Sequence, residues 1–343
     1  MNNPSFPIDR DTVRPTSRQQ RFCSIPCNLC HSRDIAVLSN RSRSGKPLRT
    51  VICRSCGLVW SDPRPYESKQ FYEKDYRVVY KKTPVPKPKH ILRAGKVALS
   101  RLEKIRPLIS CPKSILDVGS GGGEFAYLLT SLGHHVNGIE PNRGYAEFSI
   151  QEYGLTVHIG FVQDCALPRE SFDLITIWHV LEHTEDPGAV LSRLRSWLKP
   201  DGLMVVEVPN VEATCQSPKS KFHEAHLYNF NIVTLQGLGK QSRLQDVGHT
   251  VSSDGGNITM LFRRTDSSIG DFVGVNFLGN YERVSAILHK HTSLRHYLTL
   301  TPYRRVLQRF MKSYAEKRQL ASFQNGKHLL NTLYRHARMV HEQ

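Results

Sequence analysis

The sequence has no apolar run of the ~18–20 residues that a helix needs to cross a bilayer. Its beginning also has no apolar signal segment, and residues 1–22, which are rich in Arg, Ser, Pro and Asn, predict a disordered tail. Acidic residues are scarce, with 30 Asp and Glu against 47 Lys and Arg among 343 residues. We therefore expect a cytoplasmic protein with no transmembrane segment and one sizeable core plus smaller modules.

The positive charge is unevenly distributed along the chain. Residues 1–110 contain 23 basic and 8 acidic side chains, residues 111–265 contain 12 and 17, and residues 266–343 contain 12 and 5. Basic flanks around a mildly acidic core are typical of ordinary solvated faces. They are equally compatible with a phosphate-bearing partner, such as a nucleotide sugar, an anionic glycolipid, a membrane surface or RNA. Charge alone does not choose among these partners.

A missing glycine defines the most informative motif. A dinucleotide-binding turn requires G-x-G-x-x-G, but here Glu124 occupies the third glycine position. The pattern is instead D-x-G-x-G-x-G, formed by Asp117, Gly119, Gly121 and Gly123. The turn lies between a short buried strand and an apolar helix, so its backbone N–H groups can approach a ligand at the helix N-terminus. The carboxylate ahead of the turn favours a ligand with a cationic group.

Further strands follow this turn at regular intervals. We predict strands at Ile115–Val118, Val136–Ile139, Leu155–Ile159, Phe172–Trp178 and Leu203–Val208, and two further strands at Gln245–His249 and Asn257–Arg263. Strands alternating with helical patterns indicate a doubly wound, mainly parallel α/β sheet. Glu140 closes the second strand, where an acidic residue can accept hydrogen bonds from two ribose hydroxyls.

Together these segments resemble the class I S-adenosylmethionine-dependent methyltransferases over residues 111–265. The matching pieces are Asp117-x-Gly119-x-Gly121-x-Gly123, Glu140, Phe172-Asp173-Leu-Ile, Leu181-Glu182-His183 and Lys199-Pro-x-Gly202. The resemblance implies a Rossmann-like, doubly wound, seven-stranded sheet that Gln245–His249 and Asn257–Arg263 close as antiparallel strands. By the same likeness, the glycine turn holds the amino-acid end of S-adenosyl-L-methionine and Glu140 holds its ribose. It also implies that Asp164 contacts the adenine and that His179 borders the cofactor. The alternative is a dinucleotide-binding or cofactor-free α/β domain.

Two cysteine pairs precede this core. Cys27-x-x-Cys30 and Cys53-x-x-Cys56 have nearly the spacing of a four-thiolate zinc site. Four thiolates leave no open coordination position, so we expect the zinc to be structural. Three alternatives remain, namely paired disulfides, unconnected thiols, and an iron–sulfur cluster of a radical enzyme that would use Cys23 with the first pair.

A two-knuckle ribbon before a class I core resembles bacterial methyltransferases with an N-terminal zinc-binding module, including sugar methyltransferases of antibiotic and polysaccharide pathways. The segment Cys56-Gly-Leu-Val-Trp60-Ser-Asp-Pro-Arg-Pro65 supports this likeness. We expect five segments: a disordered tail at 1–22, the zinc ribbon at 23–66, an aromatic helix, basic linker and helix at 67–110, the core at 111–265, and a basic helical extension at 266–343. The extension has the pattern of a membrane-surface helix, a dimer contact or a cap on the core, and we expect the cap.

Histidines near the expected site are the candidate bases. Methyl transfer to a hydroxyl requires removal of a proton, and the unperturbed pKa of histidine lies near neutrality. Because the sugar-modifying group can use a histidine after strand five, His226 is our first candidate for the base and His223 the second. The alternatives are that both pack in a loop, or that they bind a divalent metal with Glu224 or His183.

The sequence thus predicts a methyltransferase acting on a hydroxyl or carbon of a sugar or related small metabolite, which could carry phosphate. The second hypothesis is the same chemistry on RNA or protein, since the basic flanks could bind a polymer, although nucleic acid is not favoured. The third is a non-catalytic binding module of the same fold. The sequence leaves the oligomeric state open.

Overall fold

The computed structural model describes residues 22–65, 85–265, 276–321 and 323–341. Its strands are β1 (Phe22–Cys23), β2 (Ile35–Arg41), β3 (Pro47–Cys53), β4 (Val59–Ser61), β5 (Arg64–Pro65), β6 (Ser114–Val118), β7 (His135–Glu140), β8 (Thr156–Ile159), β9 (Phe172–Trp178), β10 (Leu198–Pro209), β11 (Tyr228–Asn229), β12 (Leu244–Val251) and β13 (Asn257–Arg264). Its helices are α1 (Pro88–Ile105), α2 (Glu124–Ser131), α3 (Arg143–Tyr153), α4 (Pro187–Trp197), α5 (Ile232–Gln241), α6 (Asn280–Lys290), α7 (Ser293–Tyr297), α8 (Thr301–Gln319) and α9 (Gly326–His341). Nearly all of the expected disordered tail, the aromatic segment 66–80 and part of the basic linker lie outside the described residues.

The main sheet has seven strands in the order β12-β13-β10-β9-β6-β7-β8. Strands β6 to β10 are parallel, and β13 pairs antiparallel with both β10 and β12. The predicted Rossmann-like, doubly wound sheet is therefore confirmed, including its two closing antiparallel strands. Because β6 has β7 and β9 on its two sides, the chain reverses direction across the sheet there, and ligands bind at such a switch point.

The observed strands lie close to the predicted ones, and β9 has the predicted bounds. The exception is β10, which begins at Leu198 rather than Leu203. Leu198 pairs with Phe172, and the register shifts before Leu203 pairs with Leu174. The Lys-Pro-Asp-Gly segment is thus an irregularity within a strand, because the chain enters β10 directly from the end of α4.

A second sheet joins the cysteine segment to the core. Its order is β11-β4-β3-β2, and β11 comes from the loop that follows β10. Tyr228 in β11 pairs with Trp60 in β4, and both side chains are fully buried. On the other face, Val284 of α6 packs against Ile52 and Val59. The ribbon therefore shares both a strand and a hydrophobic cluster with later parts of the chain.

The last helix packs on the first one and on the helix after the glycine turn. Leu330 and Tyr334 of α9 are fully buried in a cluster with Leu102 of α1 and Leu128 of α2. The Tyr334 hydroxyl donates a hydrogen bond to the Glu124 carbonyl oxygen at 2.9 Å. This contact attaches α9 to the start of α2. Among the helices described, none has both the length and the apolar character that a bilayer crossing requires.

Candidate active site

The glycine turn connects β6 to α2 in a conformation that favours glycine. Gly119, Gly121 and Gly123 have φ angles of 72°, 61° and 85°, in the left-handed region that other residues rarely adopt. A Cβ atom at position 119 would lie 2.3 Å from Cγ2 of Val180. The segment after β9 therefore lies directly on the turn, and a side chain at Gly119 would separate them.

Asp117 lies at the base of this turn with almost no exposed surface. Its Oδ1 accepts a hydrogen bond from Thr176 Oγ1 at 2.8 Å, while its Oδ2 has no hydrogen-bond partner within the described part of the chain. Burial raises the pKa of Asp117 to about 6, although the charge of Arg101 opposes this shift. A buried carboxylate with one unsatisfied oxygen suits a ligand that brings a cationic donor.

Glu140 lies at the carboxyl end of β7, next to the same turn. Its Oε2 accepts a hydrogen bond from the Gly121 N–H at 2.8 Å, and its Oε1 accepts one from the Asn142 N–H at 2.9 Å. The two backbone donors fix the orientation of the carboxylate. Its contact with a ribose stays a prediction.

Asp164 ends a single turn of 3₁₀-helix after β8 and is exposed. Strand β8 is the edge strand beside β7, so Asp164 follows the neighbouring strand at the same end of the sheet. This position is compatible with the predicted adenine contact of Asp164, and the role stays a prediction.

His179 follows β9 and faces two carboxylates. Its Nε2 lies 3.2 Å from Glu207 Oε1, and its Nδ1 lies 3.5 Å from Glu182 Oε1. Burial disfavours the charged ring, but Glu182 and Glu207 outweigh this effect and raise the pKa of His179 to about 9. His179 therefore carries a positive charge at neutral pH.

The other three histidines form one cluster. The rings of His223 and His226 are stacked with centroids 4.8 Å apart, and His183 meets His226 edge-on at 4.9 Å. Burial, with the charge of His183, lowers the pKa of His226 to about 3. Burial, with the charge of Arg43, lowers the pKa of His223 to about 4. Both candidate bases are therefore neutral at pH 7, and the Nδ1 lone pair of His223 accepts a hydrogen bond from the Ala225 N–H at 2.9 Å.

Glu182 is a site residue that the sequence reasoning used only as part of a motif. Its carboxylate is buried, and Oε1 lies 3.8 Å from His183 Nε2. Potential ligand atoms of Glu182, His183 and His226 all lie within 4.8 Å of one another. Nitrogen and carboxylate oxygen donors suit several divalent cations, so this set, rather than one containing Glu224, could hold a metal. Glu224 instead accepts a hydrogen bond from Ser42 Oγ at 2.6 Å.

Arg101 of α1 is a second residue that the sequence reasoning missed. Its guanidinium lies over the Trp178 ring, 5.1 Å from the centroid, and its Nε has no hydrogen-bond partner among the residues described. Burial lowers its pKa, while Asp117 and Glu207 act in the opposite direction. The motifs gave no signal for it, because α1 lies between the cysteine pairs and the first motif of the core, and it reaches the site only through tertiary packing.

The four predicted cysteine ligands come together. Their sulfur atoms lie within 4.8 Å of one another, with 3.4 Å separating Cys27 from Cys56 and Cys30 from Cys53. Tetrahedral zinc with bonds of about 2.3 Å places its sulfurs about 3.8 Å apart, so the set fits the ion. The Cys23 thiol is not part of this group.

The two knuckles have the same backbone geometry. The Cys27 carbonyl accepts a hydrogen bond from the His31 N–H at 2.8 Å, and the Cys53 carbonyl accepts one from the Gly57 N–H at 2.9 Å. His31 and Gly57 both have positive φ angles, 58° and 76°. Two equivalent turns thus present two thiols each to a common point.

Comparisons with known proteins agree with this architecture. A family model described as a methyltransferase domain matches residues 90–252. A ubiquinone biosynthesis O-methyltransferase from Rhodopseudomonas palustris (strain BisA53) is 33% identical over 135 residues, covering 36% of this chain and 53% of that protein. Phosphoethanolamine N-methyltransferase 1 from Arabidopsis thaliana is 25% identical over 262 residues, covering 68% of this chain and 50% of that protein. The chain thus spans about half the length of these curated relatives.

Among solved structures, a Burkholderia thailandensis 1,6-didemethyltoxoflavin-N1-methyltransferase with bound S-adenosylhomocysteine is similar, with 18% identity and a TM-score of 0.43 over 61% of this chain and 96% of that one. Residues 90–252 match the methyltransferase-domain family, and the order of the seven strands and the glycine turn after β6 agree with the class I resemblance that the sequence indicated.

Proposed function

We propose that the protein transfers the methyl group of S-adenosylmethionine to a hydroxyl or carbon of a sugar or related small metabolite. The supporting observation is the contact between the glycine turn and the segment after β9, where a Cβ atom at Gly119 would lie 2.3 Å from Val180. This contact joins the buried carboxylate of Asp117 to the segment that bears His179 and His183. A cofactor site and a set of possible bases thus share one end of the sheet.

Four groups would hold the cofactor in this proposal. Asp117 would receive the cationic amino group, and Arg101 would face the carboxylate of the same amino-acid end, since Asp117 and Arg101 are close enough to shift each other's pKa. Glu140 would hold the ribose and Asp164 the adenine. The cofactor supplies the reactive methyl carbon, so the protein contributes alignment, which is the larger effect, and proton removal.

His226 would accept the proton of the acceptor, with His223 as the second candidate. Its neutral ring can take a proton at pH 7, and Glu182 favours the charged form that results. A pKa of about 3 makes the resting ring a weaker base than one near neutrality. The bound acceptor would therefore have to bring its hydroxyl against the ring before proton transfer.

The choice of a sugar acceptor comes from the cysteine ribbon, whose likeness to sugar methyltransferases supports it. The relatives described above carry names of O- and N-methyltransferases of other small molecules. Hydroxyl acceptors of a different kind, and RNA or protein, are therefore the competing substrates. The zinc that the four thiols fit would stabilise the ribbon and take no part in catalysis.

Calorimetric titration tests the cofactor half of the proposal. S-adenosylmethionine and S-adenosylhomocysteine should each bind at one site per chain with micromolar affinity. The acceptor is then sought by mass spectrometry as a product heavier by one CH₂, comparing cells with and without the gene. Intact, folded protein that binds neither compound would favour a non-catalytic module, and a CH₂ gain confined to RNA would replace the sugar by a polymer.

His226→Ala tests the base assignment once the acceptor is known. We expect turnover to fall by ~10²–10⁴-fold, as for loss of a general base, while S-adenosylhomocysteine affinity changes less than threefold. His249→Ala is the matched control, since His249 lies on β12 at the far side of the sheet. An equal loss of turnover and cofactor affinity in His226→Ala would remove the residue from the base role.

A metal-assisted reaction is a second candidate, favoured by the grouping of Glu182, His183 and His226 within 4.8 Å. Mild chelation that leaves one zinc per chain, counted by elemental analysis, separates the two mechanisms. Activity that is lost and then restored by Mg²⁺ or Mn²⁺ indicates the metal. Unchanged activity indicates the base alone.

A further inference from the structure

A basic cavity lies between the ribbon sheet, the loop after β10 and the end of α6. Its volume is about 500 Å³, within the usual range for small-ligand sites. Six of its lining residues are basic: Arg41, Arg43, Lys219, Lys221, His289 and His291. They come from β2, the turn after it, the segment 219–221 and the end of α6, so sequence-distant segments build one site.

The residues that line this cavity include no acidic side chain to balance its positive charge. No carboxylate pairs with Arg41, Arg43 or Lys219 in the part of the chain that is described. The fourth cation, Lys221, donates to the Ala213 carbonyl oxygen, and burial lowers its pKa to about 8. Burial and the charge of Lys221 also lower the pKa of His291. Glu212 acts on Lys221 as an opposite charge, but the remaining positive charge of the lining has no paired carboxylate among the described residues and attracts an anion.

The cavity adjoins the histidine cluster. Phe222 lines it and directly precedes His223. The Arg43 N–H donates to the Phe222 carbonyl oxygen at 2.7 Å, and the neighbouring Ser42 hydroxyl donates to the Glu224 carboxylate at 2.6 Å. The turn after β2 therefore fixes both a cavity wall and the segment that carries the candidate bases.

We propose that this cavity binds the phosphate or diphosphate group of the methyl acceptor. Arginine matches phosphate oxygens with paired N–H donors, and lysine adds point charge. Phe222 and Leu288 provide apolar wall for the group attached to the phosphate. This inference rests on the proposed function and specifies its substrate class, namely a phosphate ester whose reactive carbon or hydroxyl extends from the cavity towards His223 and His226.

Titration of the full-length, zinc-containing protein with inorganic pyrophosphate tests this assignment. We expect saturable binding at one site per chain, weakened at least tenfold in the double variant Arg43→Gln/Lys219→Gln. The matched control is Lys312→Gln/Lys317→Gln, which removes the same charge from exposed positions of α8. It should bind pyrophosphate within twofold of the original protein, and circular dichroism should show all three proteins folded. Absence of saturable binding, or equal weakening in both double variants, would overturn the inference.

Two competition arms identify the source of the phosphate. Uridine diphosphate stands for a free phosphate ester, and vesicles of phosphatidylglycerol, compared with phosphatidylcholine, stand for a lipid headgroup. Displacement of pyrophosphate by either probe, lost in Arg43→Gln/Lys219→Gln, supports the cavity and names the source. Vesicle binding that pyrophosphate does not displace would instead indicate a general surface attraction and contradict the assignment.

S-adenosylhomocysteine binding, measured on the same samples, keeps the two proposals apart. Intact cofactor binding without pyrophosphate binding would refute only the acceptor class. Pyrophosphate binding without cofactor binding would refute the methyltransferase function and leave an anion site that serves another purpose.

Discussion

At neutral pH the buried Asp117 carboxylate is ionised, which lowers the stability of the folded chain but leaves a negative charge for a cationic ligand. The folded chain raises the pKa of its carboxyl from 3.8 to about 6 by burial, so the folded state binds this proton more tightly than the unfolded state. The stability that the group contributes is complete below pH ~4, decreases as the pH rises towards 6, and stays lower above that. The difference is about 3 kcal/mol at neutral pH.

Replacing this carboxylate should therefore separate stability from binding. Asp117→Asn keeps the size of the side chain and removes the buried charge, so we expect the ligand-free protein to gain about 1–3 kcal/mol in unfolding free energy at pH 7.5. S-adenosylmethionine affinity should fall at least tenfold in the same variant. Denaturant unfolding and calorimetry measure the two effects, and a variant that is both less stable and equally tight-binding would contradict this interpretation.

Cofactor binding should also depend on pH through Asp117. Because its carboxyl is mostly ionised at pH 7 and mostly protonated at pH 5, S-adenosylhomocysteine affinity should be about tenfold weaker at pH 5. In Asp117→Asn the dependence should become nearly flat over this interval. A similar pH dependence in the variant would assign the titration to a group other than Asp117, and this group would not be His179, whose pKa of about 9 lies outside the interval.

At the scale of secondary-structure elements, the sequence predicted the strands and turns that depend on local residue patterns. The mainly apolar run Phe172–Trp178 located β9 to the residue, and glycine spacing located the turn before α2. Two C-x-x-C pairs located knuckles whose sulfurs indeed meet. The sequence could not predict that β11 completes the ribbon sheet, since its two residues have no strand signal without β4 beside them. Arg101 and the burial of Glu182 were missed for the same reason, because both depend on packing between distant segments.

The shared strand links the proposed zinc site to the candidate base. Tyr228 of β11 pairs with Trp60 of β4, and His226 lies two residues before Tyr228. We expect Cys30→Ser to lose the single zinc, to lower the unfolding temperature by several degrees, and to reduce turnover more than S-adenosylhomocysteine affinity. Elemental analysis, calorimetry and activity measurements test these three effects.

Cys111→Ser is the control for that variant, since Cys111 is exposed and lies outside the cysteine cluster. It should retain zinc, unfolding temperature and turnover. Full zinc content in Cys30→Ser would show that three thiols suffice and would remove the expected coupling between the ribbon and His226.

At the scale of the whole molecule, the C-terminal helix α9 packs against α1 and the start of α2. Gly95 of α1 leaves the space that Leu330 and Leu333 occupy, because a Cβ atom there would lie 2.7 Å from each of them. Tyr334 is fully buried in the same contact and reaches the start of α2 through its hydroxyl. The C-terminal helix is thus part of the structure that supports the glycine turn from behind.

Tyr334→Ala should consequently lower the unfolding free energy by about 3–5 kcal/mol, as for other large buried side chains. Tyr334→Phe removes only the hydrogen bond and should cost about 1 kcal/mol. Met339→Ala on the same helix is the matched control, since this side chain is 57% exposed, and should change stability by less than about 0.5 kcal/mol. Equal effects of the three substitutions in denaturant unfolding would show that α9 does not dock as described.

The strand that β11 lends to the ribbon has a physiological consequence if the four thiols bind zinc. Protein without zinc would keep its glycine turn and its affinity for the methyl donor, but the candidate base His226 would be displaced. Such molecules would sequester donor without consuming it. The zinc supply of the cell would then set the fraction of the protein that is active, even at constant protein abundance.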